Sequence, residues 1–174
     1  FLAFQFLLIQ LTLCSEKVTS NDKLGNSELN KSITELPDDF PTITVTTLNN
    51  PSKGKVFLAN YSGTGYGYYL IILDSSGKVY KYKNIPLPGL DFKMQPNGLL
   101  SYPKIIRGNQ QLGSAEVIWS LIDTSFNEID TVMCGNGYMA DLHEFHILPN
   151  GNYLLMSYYE VPYDMTQIVP NGIP

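Results

Sequence analysis

The sequence predicts an all-β fold, and composition supplies the first evidence. Twelve tyrosines and eight phenylalanines accompany many isoleucine, valine and leucine residues, and these residue types favour strands. Fourteen glycines and eleven prolines favour frequent turns. We find no segment with the apolar period that marks an amphipathic helix. The 174 residues are enough for one domain with its own core.

Charge argues against a nucleic-acid partner. The formal net charge is −5, the lysines are spread thinly, and the single arginine is Arg107. Proteins that bind DNA or RNA normally present a basic face to the phosphates. We therefore expect no nucleic-acid partner.

The N-terminal residues 1–13 read FLAFQFLLIQLTL, and most of them are apolar. A membrane-spanning helix needs about 20 such residues, whereas the core of an export signal needs only about 7–15. The alternative is a buried core helix or strand. Because the chain begins with Phe1 and not Met, we expect residues 1–14 to be a truncated leader. An exported protein, periplasmic or at the cell surface, is the prediction.

Cys14 closes this run in a segment that resembles a bacterial lipoprotein box, although Leu13 stands where a small residue is usual. Lipidation of Cys14, with a lipid anchor to the membrane, and ordinary cleavage nearby both remain open. Residues 15–37 are polar and predict a flexible tether, and residues 38–174 form the predicted domain. Cys134 is then either a buried small hydrophobe or a nucleophile.

Two kinds of hairpin turn alternate along the domain. Residues 74–77 and 123–127 begin with Asp, whereas residues 96–98 and 149–151 read Pro-Asn-Gly. Both patterns favour tight turns between strands. The predicted strands are residues 42–48, 56–61, 69–73, 79–82, 91–94, 99–102, 115–122, 128–133, 141–148 and 153–158.

The order of these hairpins indicates a repeat. The Asp turns recur after 49 residues and the Pro-Asn-Gly turns after 53, so each predicted unit is an Asp-turn hairpin followed by a Pro-Asn-Gly hairpin. Four strands in about 40–50 residues are typical of a β-propeller blade. Only two to three blades fit here, and a ring needs about four or more, so we expect further blades beyond Pro174. A plain β-sandwich is the alternative.

Both histidines of the chain lie in residues 141–146, which read DLHEFH. If this segment is one strand, Asp141 and His143 share a face, and Glu144 and His146 share the other. Asp141 could then bind one ring nitrogen of His143 and leave the other free for proton exchange or attack. The alternative is a structural histidine. Because the two histidines face opposite sides and no third soft ligand is nearby, we predict no metal site. We also expect no cofactor.

Residues 141–155, DLHEFHILPNGNYLL, resemble the Asp-x-His-Glu/Asp-Phe…Leu-Pro-Asn-Gly-x-x-Leu segment of the bacterial arylsulfotransferase family. Residues 54–60, 72–79 and 92–98 are similar to segments of that family's opening blades. The likeness extends from about residue 36 to residue 158. Of its parts, the Asp-x-His-Glu-Phe core is the most specific.

The resemblance implies a six-bladed propeller that moves a sulfuryl group from an aryl sulfate to a phenol through a sulfo-histidine, without a nucleotide donor. His143 matches the first motif histidine, which implies a sulfate-binding or acid/base role, with Asp141 orienting it. Glu144 is a candidate substrate-binding residue. The family's later histidine motifs have no counterpart here and Arg107 lies in no matching motif, so we expect the nucleophile beyond Pro174.

Two other functions remain open. A non-catalytic, surface-anchored propeller could bind a ligand or a partner protein, and a hydrolase could use His143 as its base. The sequence gives no indication of the oligomeric state.

Overall fold

The computed structural model describes residues 35–61, 64–109, 114–159 and 161–171. The predicted leader, Cys14 and most of the predicted tether lie outside these ranges. Within them the chain forms antiparallel sheets and no helix, which confirms the all-β prediction. In the same ranges, no helix long and apolar enough to cross a membrane is found.

Ten strands form three sheets in the described ranges. The first sheet has the order β1-β2-β3, the middle sheet has the order β4-β5-β6-β7 with β8 beside β6, and the third is β9-β10. All neighbouring strands are antiparallel. The strands are β1 (Val56–Ala59), β2 (Tyr68–Leu73), β3 (Val79–Ile85), β4 (Lys93–Met94), β5 (Leu100–Asn109), β6 (Ser114–Ile122), β7 (Glu128–Val132), β8 (Ala140–Asp141), β9 (Phe145–Ile147) and β10 (Tyr153–Leu155).

The middle sheet shows that the predicted order of hairpins within a unit is wrong. A Pro-Asn-Gly turn joins β4 to β5 and an Asp turn joins β6 to β7, so the Pro-Asn-Gly hairpin comes first. The reason is the long pairing of β5 with β6, from Leu100↔Ile122 to Asn109↔Ser114, which unites the two hairpins. The chain changes sheets between β3 and β4. No sheet in the described ranges closes on itself.

The three sheets stack in chain order, with an apolar cluster at each contact. Side chains alternate along β6, so that one face packs toward the first sheet and the other toward the third. The first contact comprises Leu70, Ile72, Ile85, Phe92, Leu100, Tyr102, Ile122 and Phe126. The second comprises Ala115, Val117, Trp119, Leu121, Val132, Ala140, Leu142, Phe145 and Ile147.

The predicted strand at residues 42–48 is wrong, because this segment pairs with no strand in the described ranges. It lies on the outer face of the first sheet. The ring of Phe40 lies 4.8 Å from that of Tyr69, Ile43 packs on the same cluster, and Val45 lies against Gly77. Packing of Phe40 and Ile43 on the sheet face stabilises the extended segment without a partner strand, whereas Val45 touches the Gly77 turn but stays exposed.

The Asp turn at Gly77 provides a test of this packing. Gly77 and Gly98 both have positive φ (80° and 84°), which costs any other residue about 1 kcal/mol. A Cβ at Gly77 would also meet Val45, whereas a Cβ at Gly98 meets nothing within 4 Å. We expect Gly77→Ala to lower the urea midpoint more than Gly98→Ala. Equal losses would show that Val45 does not lie against the turn.

Candidate functional site

His143 lies on a bulge between two short strands. The predicted continuous strand at residues 141–148 is wrong, since β8 ends at Asp141 and β9 begins at Phe145. Met156 binds both ends of the interruption: its carbonyl accepts from the Asp141 N–H (2.8 Å), and its N–H donates to the Glu144 carbonyl (3.2 Å). The residues between these ends leave the ladder, as in other β-bulges.

The bulge explains why the predicted alternation of faces fails. Asp141 and His143 are predicted to share a face, but Asp141 is buried whereas His143 is exposed. Leu142 is buried in the cluster between the middle and third sheets. The Asp141–His143 contact therefore comes from a bend in the chain and not from strand periodicity.

Asp141 is a buried carboxylate with several hydrogen-bond donors around it. Its side chain is 2% exposed. Oδ2 accepts from the Ala115 N–H (3.2 Å) and Oδ1 from the His143 N–H (3.0 Å). Its main-chain carbonyl accepts from the Trp119 indole N–H (3.2 Å). A buried carboxylate needs such donors to offset its lost hydration, and here the donors come from β6 and from the bulge.

The imidazole of His143 pairs with this carboxylate through Nδ1, which confirms the predicted hydrogen bond. Because a carboxylate only accepts hydrogen bonds, Nδ1 carries the proton and the neutral ring presents an unprotonated Nε2. The side chain is 41% exposed, and Tyr158 lies edge-on to it with ring centroids 6.2 Å apart. No described residue hydrogen-bonds to Nε2. This nitrogen is available to exchange a proton.

Glu144 takes part in a separate charged cluster. Its carboxylate pairs with Lys93 Nζ and lies 3.3 Å from His146 Nε2, and Lys93 also binds Asp91 Oδ2 (2.8 Å). His146 is exposed and contacts Glu144, the residue predicted to share its face. An ionised carboxylate repels an anionic sulfate, so this placement gives no support to Glu144 as a sulfate-binding residue.

The pKa values of the two carboxyl groups in this cluster shift in opposite directions. Burial raises the pKa of Asp91, and Lys93 offsets only part of that effect. Partial burial also raises the pKa of Glu144, but the hydrogen bond and charge of Lys93 and the charge of His146 together outweigh it and lower that pKa. Glu144 is therefore ionised near neutral pH.

Cys134 is half-buried and packs against the cluster between the middle and third sheets. Burial raises the pKa of its thiol, which reduces the thiolate that a nucleophile requires. The hydrophobic role is thus the better supported one. Among the described residues, no group of three or more histidine, cysteine, aspartate or glutamate side chains comes together as metal ligands do.

Sequence reasoning missed Gln95, which joins the middle sheet to the third. This buried amide donates from Nε2 to the Phe145 carbonyl (3.1 Å) and accepts at Oε1 from the Ile147 N–H (3.0 Å). A third bond runs from Nε2 to Ser101 Oγ (2.8 Å). A glutamine beside a Pro-Asn-Gly turn carries no signal of burial. Only the spatial proximity of residues about 50 positions apart reveals its role.

Comparisons with protein-family models, with curated proteins and with solved structures found no match to this chain.

Proposed function

We propose that this chain belongs to a β-propeller arylsulfotransferase, in which His143 exchanges a proton with the phenolic oxygen during sulfuryl transfer. The observation that carries the proposal is the Asp141–His143 pair. A buried carboxylate fixes one nitrogen of a partly exposed imidazole and leaves the other nitrogen open. This arrangement is typical of a histidine that acts as a general acid or base.

The stacking of the sheets supports the propeller part of the proposal. The middle sheet has four consecutive antiparallel strands, and each sheet packs on the next in chain order. Propeller blades are four-stranded antiparallel sheets that pack on one another, and among the described sheets the middle one has four consecutive strands. The number of blades, six by the family resemblance, is part of the proposal.

The proposed step moves the sulfuryl group from a sulfo-histidine to a phenol. A phenol lies with its hydroxyl toward Nε2 of His143, and its oxygen forms a bond to the sulfur of a sulfo-histidine. Nε2 accepts the phenolic proton while the S–N bond breaks, and that electron pair returns to the nucleophilic histidine. The Asp141 carboxylate stabilises the imidazolium that forms. In the reverse direction His143 donates the proton to the departing phenolate.

Sulfuryl transfer also needs cationic groups, because negative charge on the sulfuryl oxygens must be offset. Near His143 the acidic side chains of Asp141 and Glu144 offer no positive charge, and Lys93 is already paired with Asp91 and Glu144. The proposal therefore requires the nucleophilic histidine and the sulfate-binding cations to come from residues outside the described ranges. A suitable aryl sulfate and a phenol are the proposed substrates.

The direct test measures sulfate transfer from 4-nitrophenyl sulfate to phenol by the full-length gene product. Loss of a general base typically lowers kcat by about 10²–10⁴-fold, and we expect His143→Ala to show such a loss. His146→Ala is the matched control, because His146 contacts Glu144 and not the Asp141 carboxylate. Equal activity of the His143→Ala variant and the unchanged protein would contradict the proposal.

A non-catalytic propeller that binds a ligand is the second candidate, and the negative charge around His143 favours it. Carboxylates outnumber cations in this part of the molecule, which suits a cationic or neutral ligand better than an anionic one. The same assay separates the two candidates. Absence of transfer by the unchanged full-length gene product would favour the binding protein.

A further inference from the structure

A three-residue pattern recurs in the chain: an acidic residue, a phenylalanine and a third residue that varies. It reads DFP at residues 39–41, DFK at residues 91–93 and EFH at residues 144–146, at intervals of 52 and 53 residues. Phe40, Phe92 and Phe145 are all buried, each in a different apolar cluster. The triplets therefore occupy the same position in three successive structural repeats. The first residues of the three triplets correspond to one another, and so do the third residues.

Lys93, the third residue of the middle triplet, connects two repeats. Its Nζ binds Asp91 in its own triplet (2.8 Å) and Glu144 in the following triplet. The equivalent residue of the first triplet is Pro41, which has no side-chain donor, and there Asp39 instead accepts a hydrogen bond from the Tyr69 hydroxyl (2.6 Å). The inter-repeat ion pair is therefore specific to the junction that carries His143.

Glu144 forms the C-terminal end of the His143 bulge, so a contact that holds Glu144 also constrains the bulge. Its carbonyl accepts from Met156 N–H, and its Oε1 accepts from the Phe145 N–H (3.0 Å) as well as from Lys93. The side chains of Lys93 and Glu144 are 24% and 45% exposed, so solvent screens part of their attraction. Gln95 lies two residues after Lys93. Its side-chain amide donates to the carbonyl of Phe145, the residue that follows Glu144.

We propose that Lys93 is a positioning residue for His143. By fixing the Glu144 carboxylate from the preceding repeat, it sets the conformation of the bulge and with it the pairing of His143 Nδ1 with Asp141. Lys93 itself touches neither His143 nor a reacting atom. The positioning role stands on the contacts alone, and only its consequence for catalysis rests on the proposed function.

The Nδ1–H proton of His143 gives a readout of this role by NMR. The chain contains two histidines, so His146→Gln assigns the signals of His143. We expect Lys93→Met to raise the exchange rate of this proton by about tenfold, the size of effect expected for losing one charge-assisted hydrogen bond. Lys93→Arg keeps the charge and should restore slow exchange.

Lys104→Met is the matched control. Lys104 is also a lysine of the middle sheet, and it pairs with Glu128, away from the bulge. This variant should leave the His143 proton unchanged. Equal exchange in the Lys93→Met and Lys104→Met variants, or no recovery with arginine, would overturn the proposal. If exchange depends on Lys93 but the unchanged protein transfers no sulfate, the positioning role stands and the sulfotransferase proposal fails.

Discussion

Replacing Asp141 with alanine is expected to lower the free energy of unfolding by about 3 kcal/mol. The carboxylate is buried and accepts hydrogen bonds from Ala115 and from both the main chain and the ring of His143. The alanine substitution removes the acceptor of the buried hydrogen bond from the Ala115 N–H. Urea unfolding followed by tryptophan fluorescence measures the change, since Trp119 is the only tryptophan.

Asp164→Ala is the control for this variant. Asp164 is exposed, and its side chain binds only the main chain and hydroxyl of Thr166 in the described ranges. Its removal should cost less than about 1 kcal/mol, as for a typical exposed turn residue. Similar losses for both variants would show that Asp141 does not connect β6 to the bulge.

Substitution of Trp119 should have an equal or larger effect on stability. The indole is fully buried, its ring stacks on that of Phe145 with centroids 5.3 Å apart, and its N–H donates to the Asp141 carbonyl. Trp119→Ala removes both contacts and leaves a cavity between two sheets, and such changes cost about 3–5 kcal/mol. Thermal unfolding followed by circular dichroism measures the loss.

Trp119→Phe separates the two contributions. It keeps an aromatic ring against Phe145 but removes the donor to the Asp141 carbonyl, which costs about 1–3 kcal/mol. We expect a stability between those of the unchanged protein and Trp119→Ala. A Trp119→Phe variant as stable as the unchanged protein would mean that the indole hydrogen bond contributes nothing.

The hairpins were predictable because local turn chemistry determines them. In the Asp turns, the carboxylates of Asp74 and Asp123 accept from main-chain N–H groups two and four residues ahead. In the Pro-Asn-Gly turns, Gly98 and Gly151 take positive φ. These interactions lie within a few residues, so short sequence patterns report them.

The grouping of hairpins into sheets and the bulge at His143 were not predictable in this way. Both depend on pairings between distant residues, such as β5 with β6 and Met156 with the two ends of the bulge. A strand pattern at residues 141–148 looks the same whether or not two residues leave the ladder. The Asp141–His143 contact was predicted correctly, although the geometry that produces it is a bend.

Gln95 also affects how β9 can associate with other chains. Strand edges with free main-chain donors and acceptors attract additional strands, which leads to aggregation. The side-chain amide of Gln95 carries the same donor and acceptor as a peptide group, and it already occupies the Phe145 carbonyl and the Ile147 N–H. An extended peptide approaching this edge finds both groups bound, so a single glutamine protects β9 from intermolecular strand addition.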